Sequence, residues 1–103
     1  MYVSRMPFHV APGKTTEVEQ RLRSLKDMID EAGGQHCRIL RAHFASDGAP
    51  DVVLEQEADD LAALESQIKK VTEKPEFQQW SQEMSSLLIR PPKREAYLVD
   101  GLN

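Results

Sequence analysis

In the last third of the chain, the segment Lys74-Pro75-Glu76-Phe77-Gln78-Gln79-Trp80 runs on towards a short tail, Arg94-Glu95-Ala96-Tyr97-Leu98-Val99. Proline holds φ near the helical value, and its missing N–H costs nothing at a helix start, so Pro75 predicts the first turn of a helix. Phe77, Trp80, Met84, Leu87 and Leu88 then recur on one face of that helix. The tail reads as a strand. A helix buried through large side chains and followed directly by a strand points to a small α+β sandwich.

The upstream sequence supplies the rest of such a fold. Residues 2–10 are a strand candidate that ends at Ala11-Pro12-Gly13, and a helix is predicted from Thr15 to Ala32. Val18, Leu22, Leu25, Ile29 and Ala32 fall at steps of three and four, one stripe of a 3.6-residue helix, before the stop at Gly33-Gly34. His36 to Phe44 reads as a long strand, Ser46-Asp47-Gly48-Ala49-Pro50 as a turn, and Val52 to Glu57 as the returning strand of a hairpin. Asp59 or Asp60 caps a further helix carrying Leu61, Leu64, Ile68 and Val71. The resulting order, β-α-β-β-α-α-β, is the split βαβ arrangement of ferredoxin-like folds, an α+β domain spanning residues 1–103 with a four-stranded antiparallel sheet and its helices on one face.

The other face of that sheet needs an occupant or water. Alternation puts Met6, Phe8 and Val10 on one side of the first strand and Val3, Arg5, Pro7 and His9 on the other. Val52 and Leu54 likewise oppose Val53, Glu55 and Glu57, and Ala96 and Leu98 oppose Glu95, Tyr97 and Val99. The second face is therefore mixed. Such a face is either solvated or meets a second copy around a partly polar cavity.

Composition narrows the partners. A net charge of −4 argues against a nonspecific nucleic-acid-coating role, whose affinity comes from Lys and Arg neutralising phosphates. The basic run from Arg90 to Arg94 is split by Pro91-Pro92 and reads as a solvated turn. The single cysteine, Cys37, allows no disulfide framework and fits a reducing cytoplasm. The segment Met1-Tyr2-Val3-Ser4-Arg5-Met6-Pro7-Phe8 lacks a signal-peptide pattern, and no run approaches the roughly 20 apolar residues that span a bilayer. The expectation is a cytoplasmic protein without nucleic-acid or membrane partners.

The opening strand with Ala11-Pro12-Gly13-Lys14, the hairpin, and Lys74-Pro75-Glu76-Phe77-Gln78-Gln79-Trp80 before Glu95-Ala96-Tyr97-Leu98-Val99 resemble the dimeric α+β barrel superfamily. Within it the chain looks most like the NIPSNAP-type branch, with the antibiotic biosynthesis monooxygenases as near relatives. The resemblance implies a homodimer of two sheets packed face to face. It also implies a range of activities, including cofactor-free monooxygenases and isomerases as well as members without known activity, so it does not decide function. Several monooxygenase-like members place a histidine early in the second helix. This chain has Leu64-Glu65-Ser66-Gln67-Ile68 there, without one.

Candidate chemistry gathers on the second face. His9 and His43 are expected to share it with Arg5, Arg41, Glu55, Glu57 and Tyr97. A carboxylate beside a histidine can make it a general base, and an arginine can hold a substrate carboxylate or enolate. His9, His43 and Tyr97 are thus candidate catalytic groups, and Arg5, Arg41, Glu55 and Glu57 candidate substrate-binding groups. A bulge between residues 36 and 44 would reverse the downstream alternation and move His43 to the helix side. A metal is not expected, because His36 and Cys37 as neighbours on a strand point apart and no C-x-x-C or H-E-x-x-H pattern is present. No bound cofactor is expected either. Cys37 is read as a packed thiol, Phe77 and Trp80 as core, and Gly33-Gly34 as a turn.

Two functions follow from these residues. One is a small homodimeric barrel enzyme, a cofactor-independent monooxygenase or isomerase acting on a small organic molecule. The other is a non-catalytic dimerisation or protein-interaction module in which the same charged groups pair across the two-fold axis.

Overall fold

The computed structural model describes residues 1–101. Its elements follow in the order β1 (Tyr2–Phe8), α1 (Thr15–Glu31), β2 (Gln35–Arg41), β3 (Val52–Ala58), α2 (Leu61–Thr72), α3 (Pro75–Ser85) and β4 (Glu95–Leu98). The strands form one antiparallel sheet in the order β2-β3-β1-β4. This is the ferredoxin-like α+β fold expected from the periodicities, and the three helices supply the core on one side of the sheet.

Local chemistry sets the helix boundaries. Lys14 precedes α1, which buries Val18, Leu22, Leu25, Met28 and Ile29. Its end is closed by Ala32 and by Gly33 at φ +89°, a left-handed conformation that favours glycine. Of the two aspartates offered as caps to α2, Asp60 does the work: its Oδ1 accepts from Ala63 N at 2.7 Å. Pro75 stands in the first turn of α3 behind an extended Lys74. The core joins Phe8, Leu22, Val52, Leu54, Trp80 and Met84 from both layers.

Four boundaries or orientations differ from the sequence-based expectation, each for a local reason. β1 stops at Phe8, after which Val10 pairs with Leu88, and Ile89 N donates to the His9 carbonyl at 2.8 Å. The chain after α3 thus continues the sheet edge where no strand signal was visible. β2 covers Gln35–Arg41 rather than 36–44, and its register against β3 shifts between Gln35 and Arg38, with His36 at φ +49°. One extra residue there reverses the pleat for everything that follows. Finally, α2 is turned so that Gln67 is buried while Ile68 is only half-buried.

Candidate functional site

Directly opposed residues of an antiparallel pair project to the same side of the sheet, so the registers give the composition of its helix-free face. Arg38 of β2, Glu55 of β3, Arg5 of β1 and Glu95 of β4 form one row across all four strands. On one flank lies an apolar row of Leu40, Val53 and Pro7. On the other lie Glu57, Val3 and Tyr97. The central row alternates in charge from one strand to the next, which is the favourable cross-strand arrangement.

Glu55 anchors this row. Only 7% of it is exposed, and it accepts hydrogen bonds from Arg38 Nε at 2.9 Å and from Arg38 Nη2. Its other oxygen lies 3.3 Å from Arg5 Nε. Arg5 Nε is enclosed without a hydrogen-bond partner among the described residues, so charge rather than a directed bond holds it beside Glu55. The hydrogen bond to Glu55, and then its charge, keep the Arg38 guanidinium still more firmly protonated than usual. At the β4 end, Glu95 raises the pKa of the Tyr97 phenol through hydrogen bonding first and charge second, and half-exposed Tyr97 is thereby kept a donor.

Beside the row is a hollow of about 270 Å³. Arg5, His9 and Glu95 supply its polar side, and Pro7, Val53, Pro50 and Gly48 the remainder. His9 stands just beyond β1, and its position is fixed from both directions: its carbonyl accepts from Ile89, while Val10 N donates to Asp51 Oδ2 at 2.8 Å. Gly48, at φ +84°, forms the turn that carries Pro50 over the hollow. An imidazole, a guanidinium and a carboxylate thus share one half-enclosed, mainly polar space that Pro7, Pro50 and Val53 complete. Such a set can accept a proton, hold the resulting anion and exclude part of the solvent.

The structure places Arg5, His9, Glu55, Glu57 and Tyr97 on the predicted face but removes two expected members. Arg41 lies on the helix side, opposite Val52, and forms an ion pair with Glu19 of α1. His43 lies beyond β2 in the exposed β2–β3 loop, where its ring meets the edge of Phe44, itself 92% exposed. Both corrections follow from the bulge and early end of β2. The same bulge brings in Arg38, opposite Glu55, which an unbroken alternation through Arg41 would set on the helix side. Glu95 was placed on this face by its alternation but was not singled out as a site residue; its register opposite Arg5 is what brings it to the hollow.

The remaining nucleophile and ligand candidates are elsewhere. Cys37 is half-buried against the core, and burial pushes its thiol up to about 11, with the charge of Asp30 adding to the effect. A thiol so protonated is a poor nucleophile at neutral pH. Among the described residues, no three His, Cys, Asp or Glu side chains stand close enough to hold one metal ion. Among those residues, too, no helix is long and apolar enough to cross a membrane.

The class defined by this sheet, with its helices on one side, is the ferredoxin-like α+β fold. Solved structures with this fold include an uncharacterized NIPSNAP domain protein from Burkholderia xenovorans, with a TM-score of 0.73 and 15% identity over 100% of this chain and 98% of that one. A candidate antibiotic biosynthesis monooxygenase from Nitrosomonas europaea gives 0.71 and 20% over 98% of this chain and 100% of that one. SnoaB, a cofactor-independent oxygenase from Streptomyces nogalater, gives 0.65 and 17% over 98% and 92%. At these identities the likeness is one of fold. No family model matches the sequence, and no curated protein matches it.

Proposed function

We propose that the chain is a cofactor-independent, monooxygenase-like or isomerase-like homodimer in which two helix-free sheet faces meet and close the hollow around a small organic molecule. The observation that carries this reading is the convergence of Arg5, His9 and Glu95 on one 270 Å³ space beside an apolar wall. His9 takes a proton from an acidic C–H or O–H group, Arg5 receives the developing oxyanion, and Tyr97 offers a hydrogen bond from the neighbouring row. Glu55 and Arg38 fix Arg5 in place, and Glu57 adds its charge beside Arg38. Proton abstraction is the step from which either direct reaction with dioxygen or isomerisation proceeds. The folds shared with an oxygenase and a monooxygenase candidate support the class of chemistry without identifying a substrate.

The dimer has a physical argument of its own. The row Arg38, Glu55, Arg5, Glu95 reads plus, minus, plus, minus across the sheet. Reversed by a two-fold axis running along the strands, it sets each charge opposite its complement, as an isologous interface requires. The same internal pairing favours a second reading, an assembly module whose charges need no ligand.

A panel of small enolisable and phenolic acids, assayed for turnover with wild-type protein and His9→Gln, separates the two. Loss of turnover by about 10²–10⁴-fold in the variant, the usual contribution of a general base, supports the enzyme. Turnover unchanged in His9→Gln removes the proposed role of His9, and an inert wild type that remains dimeric supports the module.

A further inference from the structure

On the helix side of the sheet, away from the hollow, Gln56 of β3 faces Gln67 of α2. The two are 4% and 9% exposed. Gln56 Nε2 donates to Gln67 Oε1 at 3.0 Å. Facing amides can close a ring through two reciprocal hydrogen bonds, but here only one is made. Gln56 Oε1 and Gln67 Nε2 are both enclosed and have no partner among the described residues. Buried polar atoms in folded proteins are nearly always satisfied, by protein or by water, so this pair requires a third participant.

Space for that participant lies on one side of the pair. A cavity of about 50 Å³ is lined by both glutamines together with Gly33, Gly34, Ala63 and Leu64. A methyl group at Gly34 would stand 3.1 Å from Gln56 Oε1 and collide with Ile29 Cγ2, so the backbone passes this close to the unpaired oxygen only because residue 34 is glycine. On the other side, a smaller void of about 20 Å³ is also bordered by both glutamines, with Thr72 and Arg94 beside an otherwise apolar wall of Met6, Leu25, Ile29, Val71 and Phe77. A buried water needs about 10–15 Å³ and two or more polar partners; the cavity at Gly34 meets both conditions with the greater room and lies on the side of the Gln56 oxygen.

We infer that the half-enclosed Gly34 cavity is a water-binding site in which one water accepts from Gln67 Nε2 and donates to Gln56 Oε1, closing the amide ring between β3 and α2. This explains why α2 turns Gln67 rather than Ile68 towards the sheet. The site is independent of the chemistry proposed for the opposite face.

An atomic-resolution crystal structure, with water-to-amide cross-relaxation measured by NMR at the Gln67 side chain, tests it. The expected result is a single ordered water within hydrogen-bond distance of both atoms, with a contact to water that persists in the NMR spectrum. A dry cavity, or glutamines paired directly through two bonds, would overturn the inference. Unfolding of Gln67→Leu and of the double variant Gln56→Leu/Gln67→Leu gives a second check. The single variant strands the Gln56 amide and should be the less stable of the two, whereas a double variant no more stable than the single would also overturn it.

Discussion

Replacing Trp80 by phenylalanine probes the joint that holds α3 to α1. The indole Nε1 donates to the Arg21 carbonyl at 2.6 Å, and the ring stacks on Phe77 with centroids 5.5 Å apart. A hydrogen bond of this kind contributes about 0.5–1.5 kcal/mol net. The carbonyl lies within α1, whose own ladder also uses it, so removing the indole does not orphan it. Phenylalanine keeps the stack and most of the buried surface. A shortfall on the order of 40 Å² of ring, at about 25 cal/mol per Å², removes about 1 kcal/mol more. Trp80→Phe should therefore destabilise by about 2 kcal/mol, lowering Tm by roughly 8–16 °C for a domain of this size. Trp80→Ala should cost about 3–5 kcal/mol. Far-ultraviolet circular dichroism during thermal and urea unfolding measures both, at one protein concentration because dimerisation would link stability to it. A Trp80→Phe protein within about 0.5 kcal/mol of wild type would refute the contribution assigned to this bond.

Two titratable groups yield further tests. With its thiol at about 11, Cys37 should react with iodoacetamide at pH 8 about one to two orders of magnitude more slowly than in the urea-unfolded chain; equal rates would contradict its burial. Because the folded state holds that proton more tightly than an ordinary thiol of about 8.5, the associated stability is complete below about pH 8.5 and declines as pH rises towards 11, which urea midpoints across that window will show. Glu95→Gln should bring the Tyr97 phenol back down towards its ordinary value, read by absorbance titration in a Tyr2→Phe background that leaves one tyrosine to observe. An unchanged titration would show that Glu95 does not set it.

The fold was legible wherever one periodicity ran without interruption. The stripe from Val18 to Ile29 and the proline start of α3 became helices at the expected places because burial and backbone preference agree there. Legibility failed where a single residue changed the phase. The bulge at His36–Cys37 exchanged Arg41 for Arg38 on the helix-free face, and no composition signal marks which residue of Gln35-His36-Cys37-Arg38 takes the left-handed conformation. The pairing of residues 9–11 with 87–89 is a backbone event between distant segments, set by how α3 lands rather than by the side chains of Leu87, Leu88 and Ile89. Gln67 was hidden for a related reason. Apolar spacing favoured Ile68 for the core, while the amide of Gln56 across the gap favours a polar partner.

For the candidate site, alternation alone placed Arg5, His9, Glu55, Glu57 and Tyr97 on the helix-free face, since β1, β3 and β4 carry no bulge. What alternation cannot show is the cross-strand register. Register sets Glu95 opposite Arg5 and Arg38 opposite Glu55, and so determines that the charges form one alternating row.

Whether two such faces meet is decided by light scattering on wild-type protein and Leu40→Glu at micromolar concentration. Leu40 is half-buried in the apolar row beside Val53 and Pro7, so a carboxylate there leaves the helix-side core untouched but disrupts an interface across this face. Wild type is expected at twice the 11.7 kDa chain mass and the folded variant at a single chain mass. A wild-type mass of 11.7 kDa, or a dimer indifferent to Leu40→Glu, would contradict the meeting of the two faces.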